Sequence, residues 1–304
     1  RAKAAHSPIN PASSSINRRT SGFGWRIILL VIKASIEWFA LSLSISALIS
    51  CIMICVFFSV RAKVKLKFHF DVARSILISS YHFIINSVAL TFYTQIDKIM
   101  IGKALNETVL GYYTAASAIS VMWEVIPNAV LNSARPLFVQ KYDIDKKEFL
   151  RRYQIIILGI SVLGVCVGIG FTICAKLLVW ILYGSEYYAA VPALKILAWA
   201  TVCSAIGNIR TTWMVLNNKS KYMEYFTLIG AVINITLNLI LIHFWGYIGA
   251  ALSTFVTSLI TGIILPFLFQ ETKEYAQIFI GSFRQMPNFV EFIWNKIKIK
   301  NKKR

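Results

Sequence analysis

Residues 75–102 read SILISSYHFIINSVALTFYTQIDKIMIG, and this stretch decides the fold class. Its first 22 residues contain no Asp, Glu, Lys or Arg. About 20 apolar residues suffice to cross the hydrocarbon layer of a bilayer as a helix, and the run is too long for a buried strand. A membrane-spanning helix follows. The run ends on an adjacent carboxylate and ammonium, Asp97 and Lys98. His82, Asn86, Tyr93 and Asp97 recur along one helical face, which turns Asp97 toward protein. Lys98 lies 100° further round and four residues from Gly102, within reach of the outer interface. Sequence neighbours on a helix do not face each other, so the two charges need not pair.

The rest of the chain repeats the pattern. Of 304 residues 57% are hydrophobic and 15% charged, with mean hydropathy +0.63, far from the balance of a water-soluble domain. Further apolar runs lie at 34–60, 110–139, 153–175, 189–213, 225–243 and 246–269. The expected fold is all-α, a polytopic membrane protein of about seven transmembrane helices. All five cysteines sit inside apolar runs, without the spacing of a disulfide framework or a zinc site. The four histidines are scattered, so neither a metal nor a cofactor is expected.

The net charge of +19 resides mainly between the spans. Segments 61–74, 140–152, 217–222 and 270–304 hold 20 Lys and Arg, whereas 102–111, 183–190 and 243–248 hold only Lys103. This asymmetry reports orientation. It directs the basic loops and the C-terminus to the cytoplasm and argues against a nucleic-acid partner. Residues 1–26 form a polar basic tail that falls on the wrong side of a single first span at 27–60. The chain therefore reads as N-terminally truncated, or its tail as non-native. Residues 271–304 read as a basic cytoplasmic tail, solvated or adsorbed on membrane lipids.

Polar residues inside the spans form stripes. In the third, Tyr113, Ser117, Ser120, Glu124, Asn128, Asn132 and Arg135 recur every three or four positions over about a third of the helix circumference. Pro127 bends that helix. Charge at the bilayer centre costs at least ~2.5–3.5 kcal/mol, so Glu124 and Arg135 face protein or water. Eleven positions, roughly 16 Å, keep them from pairing. In the fifth span Lys195, Trp199, Cys203 and Arg210 share an arc of about 80°; the cations suit an anionic ligand or snorkel to the span ends. Asn234 and Asn238 mark a face for hydrogen bonding between helices. The loop QKYDIDKKEFLRR carries Asp143, Asp145 and Glu148 among five basic residues. No phosphate-cradling glycine loop or nucleophile–base pair occurs, so the chain does not read as an enzyme.

The run SILISSYHFIINSVALTFYTQIDKIMIGKALNETVLGYYTAASAISVMWEVIPNAV resembles the Wzx-type polysaccharide flippases of the multidrug/oligosaccharidyl-lipid/polysaccharide exporter superfamily. The shared features are an Ile-Asp-Lys-Ile-Met-Ile-Gly helix end and, after a short loop, Gly111, Tyr113 and Ala116. A second block, LYGSEYYAAVPALKILAW followed by LIGAVINITLNLILIHFWGYIGAALSTFVTS, is similar to the C-terminal part of the same family. The likeness covers about 75–270.

It implies a six-helix lobe over 75–270, one preceding helix from another lobe, and alternating access through a central cavity. The implied substrate is an undecaprenyl-diphosphate-linked oligosaccharide, flipped across the bacterial cytoplasmic membrane for O-antigen, lipopolysaccharide or exopolysaccharide synthesis. A polymerase and chain-length machinery are the implied partners. On that reading Arg135, Lys195 and Arg210 attract phosphate and glycan. Asn128, Asn132 and Tyr113 bond sugar hydroxyls, and Glu124 or Asp97 couples transport to cations or protons. The alternatives are a small-molecule or drug antiporter, a membrane polysaccharide polymerase or ligase, and a non-functional fragment.

Overall fold

Apolar runs of this length can enter lipid only if the backbone satisfies its own polar groups, and a helix does so within one segment. The computed structural model describes residues 35–61 and 70–284, together with Leu29, Val31, Ile32 and Met286. Among the described residues there are helices and turns but no strand. The protein is an all-α polytopic membrane protein. The tail 1–26, residues 287–304 and the side chains of His82, Asn86, Tyr93 and Asp143 lie outside the described residues.

The chain divides into two units, Arg1–Ser79 and Ser80–Arg304. In the first, helix α1 (Ile36–Arg61) exposes Trp38, Leu48, Ile52 and Val56. Helix α2 (Phe70–Ala104) runs across the division and enters the second unit at Ser80.

The second unit continues with α3 (Glu107–Ser120), α4 (Val125–Ile144), α5 (Lys146–Tyr183), α6 (Val191–Leu216), α7 (Lys221–Leu259), the short α8 (Leu265–Leu268) and α9 (Lys273–Arg284). Local chemistry sets the boundaries. Asn106 caps α3 by accepting from the Val109 amide at 2.9 Å, and Asp145 caps α5 by accepting from Glu148 at the same distance. Each side chain satisfies a donor that the helix itself cannot. α5 stops at Gly184, whose φ of 85° favours glycine.

Among the described residues four stretches are long and apolar enough to cross a membrane: Glu107–Tyr142, Lys146–Tyr183, Ser185–Leu216 and Lys221–Leu268. The last is two limbs. Gly246 interrupts α7 with φ 57° and ψ −138°. A Cβ added to Gly249 would stand 2.0 Å from the carbonyl oxygen of Leu241. Eight residues of unbroken helix would separate those positions by about 12 Å, so the chain folds back here. The runs at 225–243 and 246–269 are thus separate helical limbs.

The bend expected at Pro127 is displaced toward the N-terminus. α3 ends at Ser120, and a 3-10 turn, Met122–Glu124, precedes α4. Proline lacks the N–H that would reach the carbonyl four residues back, and its ring crowds that carbonyl. The disturbance therefore falls at Trp123. The Trp123 indole fixes the break by donating to Thr201 Oγ1 of α6 at 2.9 Å.

Two buried clusters hold the unit together. One is aromatic: Phe138, Phe149 and Tyr153 meet ring to ring, and Trp213, Phe226 and Tyr275 join them. The other is built from small residues, Ala115, Ala116, Ala175, Ala190, Ala193, Ala250 and Ala251, around Tyr113 and Ile101. Small side chains let helix backbones approach closely where lipid offers no hydrophobic drive to association. Asn234 and Asn238 are buried, but Asn238 donates to Asn234 within the same helix at 3.0 Å. Among the described residues this bond within one helix stands in place of the expected bond between helices, since residues four apart share a face.

Candidate functional site

The end of α2, the middle of α3 and the limb after Gly246 converge on Asp97. This carboxylate is 7% exposed. Its Oδ2 accepts from the Tyr113 hydroxyl at 2.6 Å and from Thr254 Oγ1 at 3.0 Å. The single Thr254 hydrogen is shared with the Ala250 carbonyl, also at 3.0 Å. Lys98 donates instead to Gln95 Oε1 at 2.9 Å. Among the described residues no salt bridge involves Asp97. A carboxylate held by hydroxyls rather than by a cation can exchange a proton or meet a cation without first breaking an ion pair.

Two residues singled out in the sequence, Asp97 and Tyr113, are therefore partners. Thr254 completes the group and was given no role by sequence reasoning. Its signal was present, because it follows Gly246, Gly249, Ala250 and Ala251 in the last span and continues a row of hydroxyl residues with Ser253, Thr257 and Ser258.

Arg210 occupies a second polar centre. It is 7% exposed, and its Nη1 donates to the carbonyls of Thr261 at 2.6 Å and Gly262 at 3.4 Å. Those carbonyls belong to a π-helical turn, Ile260–Ile264. Pro266, five residues after Thr261 and four after Gly262, has no N–H to offer either carbonyl, and the guanidinium supplies donors. Its carbon also lies 4.6 Å from the centre of the Phe226 ring, an arrangement that attracts a cation. Gly207 and Gly262 permit the contact: a Cβ on Gly262 would lie 2.5 Å from the Cys203 carbonyl oxygen. Among the described residues, Arg210 Nε and the Tyr275 hydroxyl are buried without a protein partner. Burial pushes the Tyr275 hydroxyl above the usual tyrosine range, and Arg210 acts as the smaller, opposing influence.

The remaining candidates are spread along the bundle. Asn128, Asn132 and Arg135 are exposed on α4, beside the packed row Pro127, Leu131, Ala134 and Phe138. Glu124 is half-buried at the 3-10 turn, and Lys195 is exposed on α6. The fifth-span stripe runs from exposed Lys195 through half-buried Trp199 to buried Cys203 and Arg210.

A family model described as polysaccharide biosynthesis protein matches residues 15–192, more than half of the chain. The chain belongs to that family. Among curated relatives, the probable flippase AglR of Haloferax volcanii is 28% identical over 177 residues, 57% of this chain and 37% of the relative. The probable low-salt glycan biosynthesis flippase Agl15 of the same organism is 26% identical over 186 residues, 61% of this chain and 39% of the relative. A putative O-antigen transporter of Shigella dysenteriae is 19% identical over 195 residues, 64% of this chain and 48% of the relative. These matches thus span less than half of each relative's length. No solved structure matches. As a member of the polysaccharide biosynthesis family, the chain sets its polar centres at Asp97 and Arg210 within helices otherwise suited to lipid.

Proposed function

We propose that this chain belongs to a flippase that moves a lipid-linked oligosaccharide repeat unit across the cytoplasmic membrane during surface polysaccharide synthesis. The family match carries the reading. The names of the relatives, two probable flippases and a putative O-antigen transporter, support it.

The chemistry agrees. A glycan and a diphosphate cannot enter hydrocarbon without losing their hydration. A polar, cation-bearing route between lobes shields them while the prenyl tail stays in lipid. Arg135 and Lys195 support such a route: both are exposed on spanning helices, and an ionised side chain there requires water or a partner. Asn128 and Asn132, exposed on the same helix as Arg135, offer amides to sugar hydroxyls. Arg210, already engaged by two carbonyls, has a positioning role, joining α6 to the π turn. Tyr113 serves Asp97, and Asp97 or Glu124 couples transport to protons or cations.

The wider proposal is a six-helix lobe over 75–270, with the helix at 27–60 from a preceding lobe and alternating access between them. The carrier is undecaprenyl diphosphate, the membrane is the bacterial inner membrane, and polymerase and chain-length machinery act downstream. The distribution of basic loops supports a cytoplasmic C-terminus.

The test is surface polysaccharide in cells whose own gene carries Arg135→Gln with Lys195→Gln. The expected result is loss of surface polymer with the protein still in the membrane at its normal level. Unchanged polymer would remove the cation-lined route. Sensitivity to cationic drugs in a deletion strain with normal polymer would favour an antiporter.

A further inference from the structure

Helix α9 (Lys273–Arg284) has apolar residues on more of its surface than the bundle covers. Tyr275, Ala276, Ile278 and Ser282 are buried. Ile280 is nevertheless 50% exposed, Phe283 44% and Met286, just beyond the helix, 46%. At 3.6 residues per turn, and with Tyr275 as the origin, Ile278 and Ser282 lie about 60° and about 20° to one side. On the other side Phe283 lies at about 80° and Ile280 at about 140°, with the small, buried Ala276 at about 100° in the first turn, so the uncovered strip occupies the later turns; Lys273 follows at about 160° and Arg284 at about 180°.

The charges are sorted across the helix. Glu274 lies on the Ile278 side and meets Lys146 of α5 at 3.8 Å. Glu271, in the turn before α9, meets Lys219 at 3.9 Å. Both acids thus face basic residues of the bundle, and both basic residues of α9 lie along one edge of its uncovered apolar strip, beyond Ile280. Gly281 keeps the helix close to the bundle, since a Cβ there would lie 2.8 Å from Gln154 Nε2.

An apolar strip bordered by cations, on a helix of high amphipathicity, is the pattern of a helix lying in a membrane interface. Its aliphatic and aromatic groups enter the acyl boundary while Lys and Arg reach the headgroups. The sequence beyond continues this chemistry, with Phe289, Phe292, Ile293 and Trp294 followed by six cations, Lys296, Lys298, Lys300, Lys302, Lys303 and Arg304.

We propose that α9 is an interfacial helix whose Ile280–Phe283 strip, bordered by Lys273 and Arg284, docks on an anionic phospholipid leaflet. The leaflet is the one at the end of the bundle marked by Lys146 and Lys219. The proposal goes beyond the flippase reading and stands without it. It gives the start of the segment read as a cytoplasmic tail a lipid to bind, and it fixes α9 between the bundle and the headgroups.

The test places photoreactive benzoylphenylalanine at position 283 of the full chain, in vesicles of phosphatidylcholine alone or mixed with phosphatidylglycerol. Position 277, on the polar side, is the control. The expected result is lipid adducts at 283 that favour phosphatidylglycerol and exceed those at 277. Lys273→Gln and Arg284→Gln should each lower that preference about fivefold. Label at position 280 repeats the measurement if the 283 variant does not fold. Equal adducts at 277 and 283, equal labelling of both lipids, or adducts to a second copy of the chain would overturn the proposal.

Discussion

The Tyr113 hydroxyl donates to Asp97 Oδ2 across 2.6 Å, tying α3 to the end of α2 at a point that Thr254 reaches from the limb beyond Gly246. Three helices thereby share one buried carboxylate. Leaving a buried acceptor short of a donor costs about 1–3 kcal/mol. Tyr113→Phe keeps the ring and removes the donor, so it should lower stability by about that amount. Thr254→Val should cost less, because its hydrogen also serves Ala250. The two losses should not add, since both donors meet the same oxygen. Thermal unfolding of the single and double variants in detergent checks this, and a neutral Tyr113→Phe would contradict it.

Arg210 makes a comparable bond with the π turn. Arg210→Met would leave the carbonyls of Thr261 and Gly262 without their donor and lose the contact with Phe226. The expected cost is about 2–4 kcal/mol. Arg210→Lys should recover less than half, because an ammonium cannot reproduce the planar fork. Full recovery by lysine would show that charge alone is needed.

Tyr153 and Tyr275 offer a matched comparison. Both are fully buried, but Tyr153 donates to the Ile209 carbonyl at 2.7 Å while the Tyr275 hydroxyl has no protein partner among the described residues. Tyr153→Phe should destabilise by about 1–2 kcal/mol, whereas Tyr275→Phe should be neutral or slightly stabilising. The two melting temperatures decide it. A larger loss at Tyr275 would reveal a structural water bound to its hydroxyl.

Close helix contact gives a fourth expectation. Gly262→Ala drives a methyl toward the Cys203 backbone at 2.5 Å and should cost about 1–3 kcal/mol. Gly170→Ala, with nothing within 4 Å of the new methyl, should stabilise its helix by up to about 1 kcal/mol. Similar melting temperatures for the two variants would refute the tight approach of α6 to the π turn.

These contacts also show what could be read in the sequence. The spans were legible because length and apolarity suffice to mark a helix in lipid. The inward face of Asp97 was legible because a buried carboxylate must share a face with other polar residues. Arg210 was harder. Periodicity placed it on an arc with Lys195, but a helical arc does not say whether it meets protein, water or lipid. Lipid tails are as apolar as a protein core, so hydrophobicity cannot separate those surroundings. Thr254 was hidden for a related reason: its bond to Asp97 depends on the reversal at Gly246, which brings together residues 157 positions apart. Gly164 and Gly168, four residues apart on one face of α5, seat Val202 and Trp199 of α6, a contact that a pair of glycines at this common spacing does not announce.

Flipping itself can be measured with purified components. The protein, isolated as it is made in its host, is reconstituted in liposomes with a labelled undecaprenyl-diphosphate oligosaccharide initially confined to the inner leaflet. A lectin that cannot cross the bilayer reports glycan arriving outside. A rise in lectin-accessible glycan that depends on the protein is expected, and it should fall several-fold with Arg135→Gln and Lys195→Gln together. Accessible glycan no greater than in protein-free liposomes would contradict the flippase reading.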